Sequence, residues 1–231
     1  MAEAQIIAYM VVIGLSLGSF LNVCILRLPA GGSIVHPRSA CPGCDRQLSW
    51  YENIPLFSYL ALRGRCRSCG MRISVLYPLV ELTTAGIWIG SYLHFGGFWG
   101  TLHAAAFATI LLGIAATDAR EYIIPDEFSL GGLALGLALS FAPGRPEPLW
   151  AFIGALLSFA LMYGVAVVGE WAFKKPALGG GDIKMMAMVG AFLGPLGSLL
   201  TIFVGSLIGA LIFGPIRIKK KKLVPFGVFL A

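Results

Sequence analysis

Apolar stretches of bilayer-spanning length alternate along this chain with short polar connections. They cover about 5–26, 73–95, 98–117, 123–142 and 149–171, each close to the roughly 20 residues that a helix needs to cross the hydrocarbon core. A further apolar region, about 183–216, is interrupted at Gly194-Pro195-Leu196-Gly197. It is too long for one straight span, and its Gly-Pro signal predicts a short helix, a turn and a second helix. The pattern predicts an all-α, polytopic transmembrane bundle of about seven helices. Past Lys222 an eighth apolar piece, 223–231, begins and is cut short at nine residues. One long polar excursion divides the chain into a first helix (1–26), a loop (27–72) and a core (73–231).

Composition removes the water-soluble alternative. Of the 231 residues, 58% are hydrophobic and 12% charged, against roughly 25% charged in a soluble domain. Such a chain can bury a core but cannot clothe it. The 30 glycines suit helices that approach closely in lipid. The start, Met1-Ala2-Glu3-Ala4, lacks the basic region of a cleavable signal. The first apolar run is therefore expected to remain as a helix with its N-terminus outside.

The net charge of +6 then reads as an orientation signal. Seven crossings from outside leave 27–72, 118–122, 172–184 and 217–222 in the cytoplasm. These segments hold 16 of the 17 Lys and Arg residues, Arg145 being the exception. That distribution obeys the positive-inside rule and leaves nucleic acid without a case as partner. The run Arg217-Ile218-Lys219-Lys220-Lys221-Lys222 also fits contact with anionic lipid headgroups.

This topology carries two acids to one depth. Asp118 closes the third apolar stretch and Asp182 opens the sixth, 64 residues later, so both reach the cytoplasmic boundary. An ionisable group there costs a few kcal/mol unless something satisfies it. Two close carboxylates in a low dielectric share one proton, which is the arrangement of an acid–base pair.

The loop carries its own signature. Cys41-Pro42-Gly43-Cys44 and Cys66-Arg67-Ser68-Cys69 are two C-x-x-C knuckles with 21 residues between them, the spacing of a zinc-ribbon-like tetrahedral thiolate site. A cytoplasmic loop is reducing, which favours Zn2+ over disulfides; a redox pair and uncoordinated thiols are the other readings. For the metal itself the expected role is a structural clip. Cys24, inside the first helix, reads as a small apolar residue.

Other polar groups carry weaker signals. Gly179-Gly180-Gly181 before Asp182 is either a flexible loop or a place where an extended substrate backbone lies against the chain. It lacks the Lys-Ser/Thr and the preceding strand of a phosphate loop. Lys184 is placed to tune Asp182 or to bind a carboxylate or phosphate. Glu81, about two turns into the second helix, must face the interior, find a partner or be protonated. Asp126, after Pro125, reads as a helix-start cap. His94 and His103 fall toward the outer face, away from the aspartates.

With these residues in view, the chain resembles the type IV prepilin leader peptidases, membrane aspartyl proteases of the Gly-x-Gly-Asp class. The likeness runs through Gly18-Ser19-Phe20-Leu21-Asn22-Val23 and Arg27-Leu28-Pro29, then the cysteine module with Trp50-Tyr51-Glu52-Asn53-Ile54-Pro55 and Leu62-Arg63-Gly64-Arg65-Cys66. It continues through Tyr77-Pro78-Leu79-Val80-Glu81, Thr117-Asp118, Ile124-Pro125-Asp126 and Gly179-Gly180-Gly181-Asp182-Ile183-Lys184. The resemblance implies that Asp118 and Asp182 are the catalytic pair. Their substrates would be the basic leaders of prepilins and type II secretion pseudopilins, cut at the cytoplasmic face of the bacterial inner membrane. It further implies N-methylation of the new N-terminus with S-adenosylmethionine, an activity associated with the cysteine-bearing loop. Glu81 and Asn22 are the polar groups of the resembling segments expected to serve that donor. Acidic lipids, or acids such as Glu52 and Glu121, would help to attract a basic leader. One departure is that family members carry a further helix after the segment resembling Val224-Pro225-Phe226-Gly227.

Two other function classes account for some of these residues. A small proton- or ion-coupled transporter would use Asp118, Glu81 and Asp182 as relay groups, but transporters place such groups near mid-membrane and often show repeats. A zinc-bearing scaffold without catalysis would make the aspartates coincidental.

Overall fold

The structure is a computed structural model that describes residues 2–143, 146–175 and 178–217. Arg145, the basic run beyond Arg217 and the eighth apolar piece lie outside the described residues. The chain forms α1 (Ala2–Arg27), α2 (Phe57–Ala61), α3 (Leu76–Phe95), α4 (Phe98–Glu121), α5 (Asp126–Leu139), α6 (Pro148–Phe173) and α7 (Gly180–Arg217). Four of these, α1, α4, α6 and α7, contain stretches long and apolar enough to cross a membrane. Where the sequence predicts a span over 123–142, α5 has only 14 residues, about 21 Å of helix against a core of about 30 Å. Pro125 holds extended backbone before it and turns follow Leu139, which shortens it at both ends.

Two compact units divide the chain, residues 1–105 and 106–231. In the first, α1 packs along α3. Lipid gives apolar helices no hydrophobic reason to associate, so close backbone approach supplies the contact. Gly14 and Gly18, four apart on α1, provide it. A Cβ on Gly14 would sit 2.5 Å from the Ala85 Cα, and one on Gly18 would sit 2.6 Å from the Glu81 Cα.

The second unit packs α5 and α6 against α7 by the same device. Gly132 and Gly136 on α5 lie under Met188 and Phe192, and Gly154 on α6 meets the backbone of Gly190. Met185, Met186, Met188, Val189, Ala191 and Phe192 are buried, the methionines filling irregular gaps as unbranched side chains can. Phe192 also stacks on Phe107, with ring centroids 4.8 Å apart. The break predicted in the last apolar region falls at Gly194, whose φ of 70° and ψ of −176° interrupt α7 just before Pro195. Two helical pieces therefore meet at a single residue, with no longer turn between them.

Candidate active site

Asp118 lies in the last turn of α4, which continues to Glu121, and is 5% exposed. Its carbonyl accepts the Tyr122 N–H at 3.0 Å, and Tyr122, at φ 55°, ends the helix in the left-handed region. Asp182 lies in the first turn of α7. The structure brings the two acids within electrostatic reach, and the Gly179 backbone hydrogen-bonds the Asp182 carboxylate. Asp182 Oδ1 is buried and has no hydrogen-bond partner among the described residues, where such atoms are almost always satisfied.

The three glycines before Asp182 are unequal. A Cβ on Gly181 would stand 2.9 Å from the Ile124 Cβ, and one on Gly179 would stand 3.1 Å from Asp182 Oδ2. Gly180 has open space around its missing side chain. Close packing within the chain thus accounts for two of them, and the third faces open space. Lys184 bonds both carboxylate oxygens of Asp126, at 2.7 and 2.8 Å. Asp126 does open α5 and puts an acid in its first turn, as expected, but Pro125 holds the N-cap position and the Asp126 carboxylate is engaged by Lys184 rather than by the free N–H groups.

The four loop cysteines converge, with all four sulfurs within 4.8 Å of one another. The knuckles repeat one hydrogen-bond pattern. Cys41 N–H donates to Arg46 O and Asp45 N–H to Cys41 O; Cys66 N–H donates to Met71 O and Gly70 N–H to Cys66 O. Asp45 and Gly70 both take positive φ, turning the chain after each second cysteine. The backbone N–H groups of Cys69 and Ser68 hold the Cys66 thiol down to about 6. Cys41 Sγ and Cys69 Sγ are 3.7 Å apart, close to the about 3.8 Å edge of a tetrahedron with Zn–S bonds of about 2.3 Å. The donor set fits Zn2+.

Asn22 and Glu81 meet at one cavity of about 590 Å³ in the N-terminal unit, lined also by Glu52, Asn53, Tyr59 and Tyr77. Asn22 Nδ2 donates to Tyr77 O at 3.0 Å, and the Leu56 N–H donates to Glu81 Oε2 at 2.7 Å. Leu56 itself sits at φ 60°, ψ −48°, a backbone conformation costing about 1–3 kcal/mol and retained where the surroundings demand it. Glu52 is not free to attract a basic leader. It is buried, bonded to Arg46 at 2.6 Å and to the Ser49 N–H at 2.8 Å, and those two contacts hold its carboxyl below the usual range. Sequence reasoning missed its part in the cavity wall. The signal was present, since Ser49-Trp50-Tyr51-Glu52 is a capping box.

Comparison with known proteins matches both units. The bacterial peptidase A24 N-terminal domain matches residues 12–95, and the type IV leader peptidase family matches residues 105–214. A prepilin leader peptidase/N-methyltransferase of Myxococcus xanthus is 44% identical over 185 residues, 80% of this chain and 55% of that protein. Proteins of the same description from Aeromonas hydrophila and Neisseria gonorrhoeae are 34% and 32% identical over 94% of this chain and 84% of their own lengths. The chain spans about half the length of the first relative and most of the other two. No solved structure is significantly similar. From its N-terminal unit through α7, this chain belongs to the type IV leader peptidase family.

Proposed function

We propose that the chain is an aspartyl endopeptidase that removes the basic leader of type IV prepilins and pseudopilins, with Asp118 and Asp182 as its catalytic pair. The observation that carries this reading is the convergence of two acids, remote in sequence, inside the unit that matches the peptidase family. With one proton between them, the ionised carboxylate takes a proton from water as the water attacks the scissile carbonyl. The protonated carboxylate donates to the carbonyl oxygen, and a proton then passes to the leaving amine. Asp182 Oδ1, without a hydrogen-bond partner among the described residues, suits a group whose partner arrives with the substrate. Gly180 leaves space for the substrate backbone there. The basic connections support a site on the cytoplasmic face of the inner membrane.

The chain is also an N-methyltransferase of the new N-terminus, with S-adenosylmethionine supplying the methyl group. The N-terminal cavity is the fitting place for that donor. Its volume falls within the range of about 300–1,000 Å³ usual for small-molecule sites, and the carboxylate of Glu81 suits a ligand carrying ammonium and sulfonium charge. Asn22 and Glu81 would hold the donor, and Asn53 and Tyr59 would complete the wall. Cys41, Cys44, Cys66 and Cys69 would hold Zn2+ as a structural clip.

The test is purified protein in detergent with a prepilin, followed by mass spectrometry with and without S-adenosylmethionine. Leader removal is expected in both conditions and N-terminal methylation only with the donor. Asp118→Asn and Asp182→Asn should each abolish cleavage, and normal processing by either variant overturns the pair.

A further inference from the structure

We propose that the Asp126–Lys184 ion pair and the seat of Ile124 on Gly181 form a positioning clamp that sets the heading of Asp182; this rests on the aspartyl-pair reading above. The connection 122–125 between α4 and α5 is tied at both ends. Its first residue, Tyr122, donates its N–H to the carbonyl of Asp118 itself. Its last, Pro125, accepts N–H groups from Phe128 and Ser129 in the opening turn of α5. One residue of this connection, Ile124, presses on Gly181, so closely that a single methyl group there would collide with it. Immediately after it, Asp126 grips Lys184 with both oxygens.

Positions 181 and 184 are neighbours on one face of a helix, while 182 is rotated about 100° from 181. The clamped face of the first turn of α7 therefore fixes where the Asp182 carboxylate points. Because the connection is anchored on the Asp118 carbonyl, the same short segment registers both acids. Lys184, with its ammonium already bonded to a carboxylate, acts as a positioning residue and not as a substrate contact. An exposed pair of this kind adds little to stability. Its value lies in orientation, to which reaction rates are far more sensitive.

The test compares Asp126→Ala, Lys184→Ala and the double variant on a full-length prepilin, with thermal unfolding measured for each. Each single change is expected to lower kcat about three- to tenfold with KM within about twofold and unfolding nearly unchanged. The double variant should be no slower than the slower single, as expected for two halves of one contact. A rise in KM confined to Lys184→Ala, with Asp126→Ala silent, would make Lys184 a substrate contact and overturn the clamp. Unchanged kcat in both singles, or losses that multiply in the double, would overturn it as well. Asp182→Asn measured alongside separates the two ideas. If it still cleaves, the aspartyl pair fails and takes the clamp with it; if it is dead while the clamp variants keep full kcat, only the clamp falls.

Discussion

The two units hold their buried carboxylates differently. In the N-terminal unit Glu52 is held by Arg46 and Ser49, Glu81 by the Leu56 N–H, and Asn22 by the Tyr77 carbonyl. In the C-terminal unit Asp182 keeps a buried oxygen without a hydrogen-bond partner among the described residues, beside a second acid. Satisfied groups line a cavity and hold a shape, which suits binding a small molecule. An unsatisfied carboxylate next to another is a poor structural element and a good reactive one. On the proposed reading, the difference assigns bond cleavage to the C-terminal unit and donor binding to the N-terminal one.

Substitutions can break that division. The largest effect should come from Asp182→Asn, lowering leader cleavage by roughly a thousandfold while S-adenosylmethionine binding by titration calorimetry stays within about twofold. Loss of donor binding in that variant would erase the division. Next, Cys41→Ser should remove the metal and lower methylation of a pre-cleaved pilin by at least about tenfold, with cleavage close to wild type. Cleavage falling in parallel would show that the cysteine module serves both steps. Glu81→Gln should weaken donor binding by about tenfold, the scale of one charge-assisted contact worth about 1.4 kcal/mol. Cleavage rate is the internal control.

Smaller changes sharpen the picture. Gly181→Ala should destabilise by about 1–3 kcal/mol, because the new methyl group meets the Ile124 Cβ and not a flexible side-chain end. Gly180→Ala, in open space, should leave thermal unfolding unchanged, and equal losses at the two positions would remove the packing explanation. The smallest effect concerns pH. The Glu52 carboxyl is held below its ordinary value by Arg46 and then by Ser49. The stability this gives is fully present above the unfolded value of about 4.3 and is lost as pH falls through the lower folded value. Fluorescence of the neighbouring Trp50 should report loosening of the loop below about pH 4, and Glu52→Gln should flatten that response.

Most of this architecture is readable from residue patterns, for identifiable reasons. The long helices follow from uninterrupted apolar runs, and the cysteine cluster follows from ligand spacing that few other demands would produce. The break in α7 was visible as Gly194-Pro195. The cavity was not. Asn22, Glu52 and Glu81 come from three separate segments, and no local pattern records that their side chains converge. The pairing of Lys184 with Asp126 was hidden for the same reason, since the partners lie 58 residues apart. The short span of α5 is not legible in the sequence because hydropathy continues through 140–142, where the backbone has already turned.

The interruption at Gly194 separates the final helical region into a working part and a trailing part. Each residue inserted into a continuous helix swings everything beyond it by about 100°. Between Asp182 and Gly194 such a slip would turn the carboxylate away from Asp118 or drag Gly190 off the α6 backbone. At Gly194 the helical phase is broken, so an insertion from Pro195 onward would leave the turn that carries Asp182 in place.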